Sequence, residues 1–149
     1  MRIAIGCDHR GLDLKNAILD ALQGEGQTCE DFGCYDETPA DYPDFAIGVA
    51  RAVAEGRFDR GVLICNTGIG MSITANKVPG AYAALCHDVV SAQRSRQHNN
   101  SNVLCLGGSV VGPDVAIDIV NAHLSTAFEG GRHERRLAKV RALEQQALP

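Results

Sequence analysis

The chain has 149 residues, of which 45% are hydrophobic and 21% charged, and its formal net charge is −4. This length suits one domain over residues 1–149, with a core that needs neither disulfides nor a structural metal to fold. The acidic balance argues against nucleic-acid binding. The lack of a long apolar run or a signal sequence predicts a soluble, cytoplasmic protein with no membrane partner.

Apolar runs typical of strands alternate with apolar positions at helical spacing along the whole chain. In chain order, the expected elements are a strand at 2–7, a helix at 12–22, a strand at 28–32, a loop at 33–43, a helix at 44–55, a strand at 61–65, a short helix at 71–76, a strand at 81–86, a helix from 88 to about 97, a strand at 102–106, a helix at 113–128 and a charged terminal helix at 133–147.

Unbroken apolar strands separated by helices predict a five-stranded parallel sheet that is covered on both faces. The expected fold class is therefore α/β, a Rossmann-like three-layer α/β/α sandwich with an extra C-terminal helix. In such sheets ligands bind beyond the carboxyl ends of the strands. The residues that follow the strands are Asp8-His9, the stretch 65–68, His87-Asp88 and the stretch 107–109.

Cys65 ends the third predicted strand, and the Gly-rich stretch 66–70 then opens a short helix. Backbone N–H groups at a helix start attract anions and favour a thiolate. Cys65 is thus a candidate base beside an anion site, although a buried strand cysteine before an ordinary turn gives the same pattern. The stretch fits neither the P-loop nor the dinucleotide-binding fingerprint.

Three other polar stretches could carry chemistry. Asp8 and His9 could orient a substrate hydroxyl or move its proton, or Asp8 could simply cap the first helix. The stretch 98–100 is expected to break the fourth helix, and a histidine there also serves as a C-terminal cap. Arg132 and Arg136 lie four residues apart and suit a phosphate, but a solvated charged helix is equally compatible.

The cysteines and histidines give no sign of a metal. The six cysteines form no C-x-x-C pair, and the five histidines are too scattered for a recognised ligand motif. We therefore expect no metal and no cofactor. Most of the cysteines are expected to serve as small core residues, with Cys65 as the exception.

Several motifs taken together are more specific than any one of them. They are Gly6–His9, Asp41–Pro43, Ile64–Ile73 with Ala75–Lys77, Ser95–Asn99 and Glu129–His133 with Arg136. With these stretches the chain resembles the ribose-5-phosphate isomerase B / galactose-6-phosphate isomerase family. The resemblance implies a metal-free aldose–ketose isomerase that acts on a small sugar phosphate. It also implies a homodimer whose active sites are shared between partners, with a tetramer as the larger alternative.

The resemblance assigns roles by position in the motifs. Cys65 would be the base that moves the proton between C1 and C2, and Thr67 would assist it. His98, with Asp8, would open the furanose ring. The residues implied to contact the substrate are Asn66, Gly68, Ile69 and Gly70 through their amides, His9, Tyr42 and Asn99 at the sugar hydroxyls or the phosphate, and Arg132 and Arg136 at the phosphate.

Two positions depart from the family pattern and bear on the substrate. Many ribose-phosphate members carry arginine where this chain has Ser109, and glycine is frequent at the position of Asn66. A serine donates one hydrogen bond but carries no charge. Ribose 5-phosphate is the expected substrate, and allose 6-phosphate, galactose 6-phosphate or a tetrose phosphate are the alternatives.

Two functions of a different class, a flavodoxin-like module and a thiol redox sensor, are the further alternatives. A flavodoxin-like binding or signalling module would need a phosphate loop after the first strand, or an acidic phosphoacceptor set, and neither pattern is present. A thiol redox sensor would need a resolving cysteine near Cys65, for which Cys7 and Cys105 are the candidates.

Overall fold

Five parallel strands form the centre of the structure, a computed structural model that describes residues 1–146. The strands are β1 (Arg2–Cys7), β2 (Thr28–Asp31), β3 (Arg60–Cys65), β4 (Ala83–Leu85) and β5 (Val103–Gly107). Their order across the sheet is β2-β1-β3-β5-β4. The three inner strands β1, β3 and β5 are almost wholly buried, which explains their continuous apolar runs. The predicted five-stranded parallel sheet is confirmed.

Six helices surround the sheet. They are α1 (Leu12–Gly24), α2 (Tyr42–Ala54), α3 (Ile69–Ala75), α4 (Val89–Asn99), α5 (Pro113–Ser125) and α6 (Arg132–Gln146). Apolar residues of α1, α4 and α5 pack on one face of the sheet, and those of α2 and α3 pack on the other. The predicted three-layer sandwich is confirmed, and α6 is the extra helix, packed against α4.

Some predicted boundaries were wrong for identifiable reasons. The fourth helix does not break before residue 98 but continues through Asn99, and Asn100 ends it in the left-handed conformation at φ 48°. The second helix begins at Tyr42 because Pro43 fits a first helical turn. The fifth ends earlier than predicted, at Ser125. Ala147, the predicted end of the last helix, lies outside the described residues.

The edge strand β4 is shorter than predicted because a side chain occupies its outer side. Asn76 follows α3, and its Nδ2 donates to the carbonyl oxygen of Ala83 at 2.9 Å. The amide of Ala83 donates in return to Asn76 Oδ1 at 2.9 Å. The Asn76 side chain thus satisfies the two backbone groups of Ala83 as a neighbouring strand would.

Lys15 is buried to 1% exposure on the inner face of α1, where the sequence pattern predicts only apolar residues. Its ammonium group donates to both carboxylate oxygens of Asp31, at 2.8 and 2.7 Å, and to the carbonyl oxygen of Cys34 at 2.6 Å. The charge is therefore paired and fully hydrogen-bonded, as a buried charge requires. No helix within residues 1–146 has the length and apolar character needed to span a bilayer.

Candidate active site

The loops that follow β1, β3 and β5 meet at the carboxyl edge of the sheet. Gly108 donates its amide to the carbonyl oxygen of Cys65 at 2.8 Å, and Asp8 donates its amide to Ile64 at 3.2 Å. A Cβ added at Gly108 would lie 2.8 Å from the carbonyl oxygen of Arg10. Glycine is therefore needed there, since the loops after β1 and β5 are in direct backbone contact.

Cys65 lies at the end of β3 and is 5% exposed. The amide of Gly68 donates to its Sγ at 3.1 Å. Gly68 has φ 78°, and a Cβ there would lie 2.8 Å from the carbonyl carbon of Leu106. Only glycine combines this backbone angle with this close approach, so Gly68 sets the position of the donor.

Three other thiols differ from Cys65 in their environment. Burial raises the pKa of Cys7 to about 12 and that of Cys86 to about 11. Burial also raises the pKa of Cys105, with the nearby Cys65 adding to the effect. These three thiols remain protonated near neutral pH.

The same environments bear on the redox-sensor hypothesis. The Sγ of Cys7 lies 3.8 Å from the Sγ of Cys34. The thiol neighbour of Cys7 is therefore Cys34 and not Cys65. Cys105 is close to Cys65 but completely buried and protonated, which makes it a poor nucleophile for exchange. The arrangement does not favour a redox sensor centred on Cys65.

The loop between β3 and α3 presents backbone donors. The first helical hydrogen bond of α3 runs from the amide of Ser72 to the carbonyl oxygen of Gly68, so the amides of Gly70 and Met71 have no acceptor within the helix. Thr67 Oγ1 accepts from the amide of Ile69 at 3.3 Å, which leaves its own hydroxyl proton free to donate. These donors lie directly after the cysteine.

Tyr42 stands over this loop. A Cβ at Gly70 would lie 2.7 Å from two carbons of the Tyr42 ring, so the ring packs on the glycine. The first residue of α2 is thereby brought to the residues that follow β3. Tyr42 is 40% exposed.

A cleft of about 500 Å³ opens beside these loops. It is lined by His9, Arg10, Leu12, Asp13, Glu37, Pro39 and Ser109. His9 Nδ1 accepts from the amide of Ala40 at 3.2 Å, so the proton of a neutral ring is on Nε2, ready to donate. Asp8 does not cap α1, whose N-cap is Gly11. The Oδ1 atom of Asp8 instead accepts from the amide of Arg10 at 2.9 Å.

Ser109 and Asn66 are joined across the cleft edge. The hydroxyl of Ser109 donates to Asn66 Oδ1, and its amide donates to the carbonyl oxygen of Asn66 at 3.0 Å. The two positions that depart from the family pattern are therefore direct partners.

His98 belongs to a second group of residues, where α4 ends and α6 begins. Its ring stacks on that of His133, with centroids 4.3 Å apart and an interplanar angle of 11°. Glu129 Oε2 lies 3.9 Å from His98 Nε2 and 3.6 Å from His133 Nε2. Burial, together with the nearby His98, lowers the pKa of His133. Neither Glu129 nor His133 was expected to have a role, and Glu129 lies outside a helix, in the turn before α6.

The two groups lie at opposite ends of the strands, the Cys65 group at the carboxyl ends and the His98 group toward the amino ends. The last turn of α4 precedes the start of β5, and Val103 is level with Gly61, whereas Cys65 is level with Gly107. Four residues of strand place His98 roughly 13 Å or more from Cys65 along the strand direction. The side chains implied at the second group are His98, Asn99, Arg132 and Arg136. Within residues 1–146, no hydrogen bond or ion pair connects them to the group around Cys65.

The chain matches a known protein family along most of its length. The family model described as ribose/galactose isomerase matches residues 3–140. The chain belongs to this family. The resemblance inferred from the motifs is thereby confirmed, and this family member is a sugar-phosphate isomerase.

Individual relatives match this chain over all or nearly all of their length. The chain is 48% identical to ribose-5-phosphate isomerase B of Escherichia coli, covering 97% of each chain. It is 47% identical to D-erythrulose-4-phosphate isomerase of Pectobacterium atrosepticum, covering 98% of this chain and 97% of the relative. The solved ribose-5-phosphate isomerase B of Clostridium thermocellum superposes with a TM-score of 0.98 at 48% identity, covering 99% of this chain and all of the other.

One buried histidine of this isomerase has a structural role. His123 lies on α5, and its Nε2 lies 2.9 Å from Ser101 Oγ, which donates to Ser95 Oγ at 2.8 Å. Burial, with smaller contributions from Arg96 and Arg60, lowers the pKa of His123 to about 3. The ring is therefore neutral, and its partners lie on α4 and the following turn. Nothing in the spacing of these residues signals that they meet.

Proposed function

We propose that this protein interconverts ribose 5-phosphate and ribulose 5-phosphate, with Cys65 as the base. The observation that carries the proposal is the hydrogen bond from the Gly68 amide to Cys65 Sγ at the carboxyl edge of the sheet. It supports a thiolate beside backbone donors, and the cleft lined by His9 and Ser109, large enough for a pentose phosphate, opens at the same edge of the sheet. The buried, protonated thiols elsewhere in the chain lack this combination.

The proton transfer follows from this geometry. The Cys65 thiolate removes the proton from C2 of the open-chain aldose, and the C–H electron pair forms a C1–C2 double bond while O1 takes up negative charge. Backbone donors of the loop 66–70 stabilise this enediolate, and the Thr67 hydroxyl donates to one of its oxygens. Return of the proton to C1, with loss of the proton on O2 and protonation of O1, gives the ketose.

Ring opening and phosphate binding would use residues from the partner in a homodimer. His98, Arg132 and Arg136 lie at the far edge of the sheet, so a second copy has to bring its own set to the cleft beside Cys65 and Asp8. Exposed apolar side chains next to the loop support such a contact. Ile69 and Ile73 are 52% and 58% exposed, and Leu85 lies against the loop at Gly68.

The first test is a coupled assay of ketose phosphate formation from ribose 5-phosphate. Cys65→Ala should lower kcat by about 10²–10⁴, the usual contribution of a general base, without loss of cooperative unfolding. Cys86→Ala is the matched control, because it removes a buried thiol with a raised pKa and should keep wild-type activity. Near-full activity of Cys65→Ala would remove this cysteine from the role of base.

Complementation tests the shared site. Cys65→Ala and His98→Ala should each be inactive alone. After the two proteins are mixed, dissociated and reassociated, half of the dimers carry one intact site, so about a quarter of the wild-type activity should return. Recovery would require that Cys65 of one copy works with His98 of the other. No recovery from mixed dimers that demonstrably form would contradict sharing.

A tetrose phosphate is the second candidate substrate. The hydroxyl of Ser109 is held by Asn66, so this position offers the substrate no charge, and a relative of comparable identity is a D-erythrulose-4-phosphate isomerase. The comparison of kcat/KM for ribose 5-phosphate and erythrose 4-phosphate decides between them. A matched pocket should favour its own chain length by about 10–200-fold. Preference for the four-carbon sugar would overturn the first assignment, and no turnover of either sugar would leave the six-carbon aldoses.

A further inference from the structure

The side chains of His98, Glu129 and His133 form a compact cluster of potential metal ligands. One nitrogen of each histidine and one carboxylate oxygen lie within 4.8 Å of one another. His133 is buried, His98 is one-third exposed and Glu129 is about half exposed. The cluster therefore combines a fixed ligand with an open side toward solvent.

The backbone holds these three residues in place. The amide of Glu129 donates to the carbonyl oxygen of Gln97 at 3.1 Å, which ties the turn before α6 to the last turn of α4. Gly130 and Gly131 both have positive φ, at 68° and 56°, and His133 donates its amide back to Gly130 at 3.1 Å. Glu129 and His133 are consequently fixed beside the last turn of α4.

The ligand set and spacing suit a zinc ion. Zinc binds imidazole nitrogens and carboxylate oxygens at about 2.0–2.2 Å, which puts tetrahedral ligand atoms roughly 3.4 Å apart. The two carboxylate–imidazole distances, 3.6 and 3.9 Å, need only a small contraction. The two stacked rings are nearly parallel, so their nitrogen lone pairs cannot both point at the same ion. One ring must therefore turn to bind it. His98 can turn, because it is partly exposed at a helix end.

We propose that His98, Glu129 and His133 form a binding site for Zn²⁺, with the fourth position open to water or another small ligand. The Glu129 carboxylate offsets part of the repulsion from the neighbouring Arg132 and Arg136. Resting on the proposed function, zinc at this site would withdraw His98 from ring opening. Zinc is then a reversible inhibitor of the isomerase.

Direct zinc titration of the protein without a histidine tag tests the site. Calorimetry should show one Zn²⁺ per chain, and Glu129→Gln and His133→Asn should each weaken binding at least about tenfold. His87→Asn is the matched control, because it removes an imidazole outside the cluster and should leave the affinity unchanged. Glu129 lies at the surface, so its variant keeps the test decisive even where His133→Asn fails to fold.

Cobalt substitution distinguishes this site from the cysteines. Co²⁺ should give the ligand-field bands of nitrogen and oxygen ligands, without thiolate-to-metal charge transfer. A thiolate band, an absence of binding, or an affinity unchanged by Glu129→Gln would overturn the proposal. Zinc binding without inhibition would overturn the withdrawal of His98. A chain that binds zinc but isomerises no sugar phosphate would refute only the proposed function.

Discussion

Gly68 offers a sharp test of how the backbone positions the donor to Cys65. An alanine there would hold a left-handed backbone angle at a cost of about 1–2 kcal/mol. Its Cβ would also lie 2.8 and 2.9 Å from the carbonyl carbon and oxygen of Leu106 in β5, a central strand that cannot retreat. Overpacking of this kind costs about 1–3 kcal/mol, so the free energy of unfolding should fall by roughly 2–5 kcal/mol in total.

Two other glycines separate these contributions. Gly26 has φ 79° and open space around its Cα, so Gly26→Ala should lose only the backbone term, about 1–2 kcal/mol. Gly24 also has open space but no positive φ, and Gly24→Ala should stabilise the helix by up to about 1 kcal/mol. The three variants therefore form a graded series in which only Gly68→Ala approaches the cysteine.

Urea unfolding and isomerase kinetics on the same preparations check the series. For a domain of this size, Gly68→Ala should lower Tm by roughly 4–20 °C. Since the strain is relieved by moving the amide that donates to Cys65 Sγ, kcat should fall by about 10²–10³ well below that Tm if Cys65 is the base. A destabilisation no larger than that of Gly26→Ala, or full kcat in the folded variant, would refute the role of Gly68.

Four further predictions concern groups away from the cleft. Lys15→Met should destabilise the fold by roughly 2–4 kcal/mol in urea unfolding, because it leaves the partly buried Asp31 carboxylate unpaired. Arg57→Ala, which breaks an exposed ion pair with Glu55, should cost at most about 1 kcal/mol. His123 has a folded pKa of about 3, below its unfolded value of about 6.5, so the unfolded state binds the extra proton and stability should fall as pH drops through this window. In this window the slope should be steeper in wild type than in His123→Leu by up to about 1.4 kcal/mol per pH unit, and equal slopes would contradict a neutral buried ring. Alkylation of the native protein at neutral pH, read by peptide mass spectrometry, should leave unmodified the thiols of Cys7, Cys86 and Cys105.

The layer order of the fold was predictable because its determinants are local. The apolar runs at residues 2–7 and 61–65 can only be strands buried on both faces, and helical spacing between them requires parallel crossovers. The end of α4 was not predictable in this way. Asn100 adopts a positive φ that asparagine tolerates but does not require, so the helix includes His98 and Asn99, which were expected to break it.

The candidate site shows the same division. Cys65, the loop after it and His9 follow strands directly, so their convergence is implied by the topology. The burial of Lys15 and the meeting of Ser101 with His123 depend on contacts between elements distant in sequence, and no periodicity encodes them. The distance between His98 and Cys65 could be seen only once α4 was placed against the sheet.

The Asn76 side chain that completes β4 also limits how copies of this protein can associate. An unprotected edge strand invites another chain to extend the sheet, which is a common route to aggregation. Here the three-residue β4 presents the backbone groups of Ala83 already paired to Asn76, so this position has no free donor or acceptor for another strand. A second chain that extended the sheet at this edge would first have to displace the Asn76 side chain from Ala83.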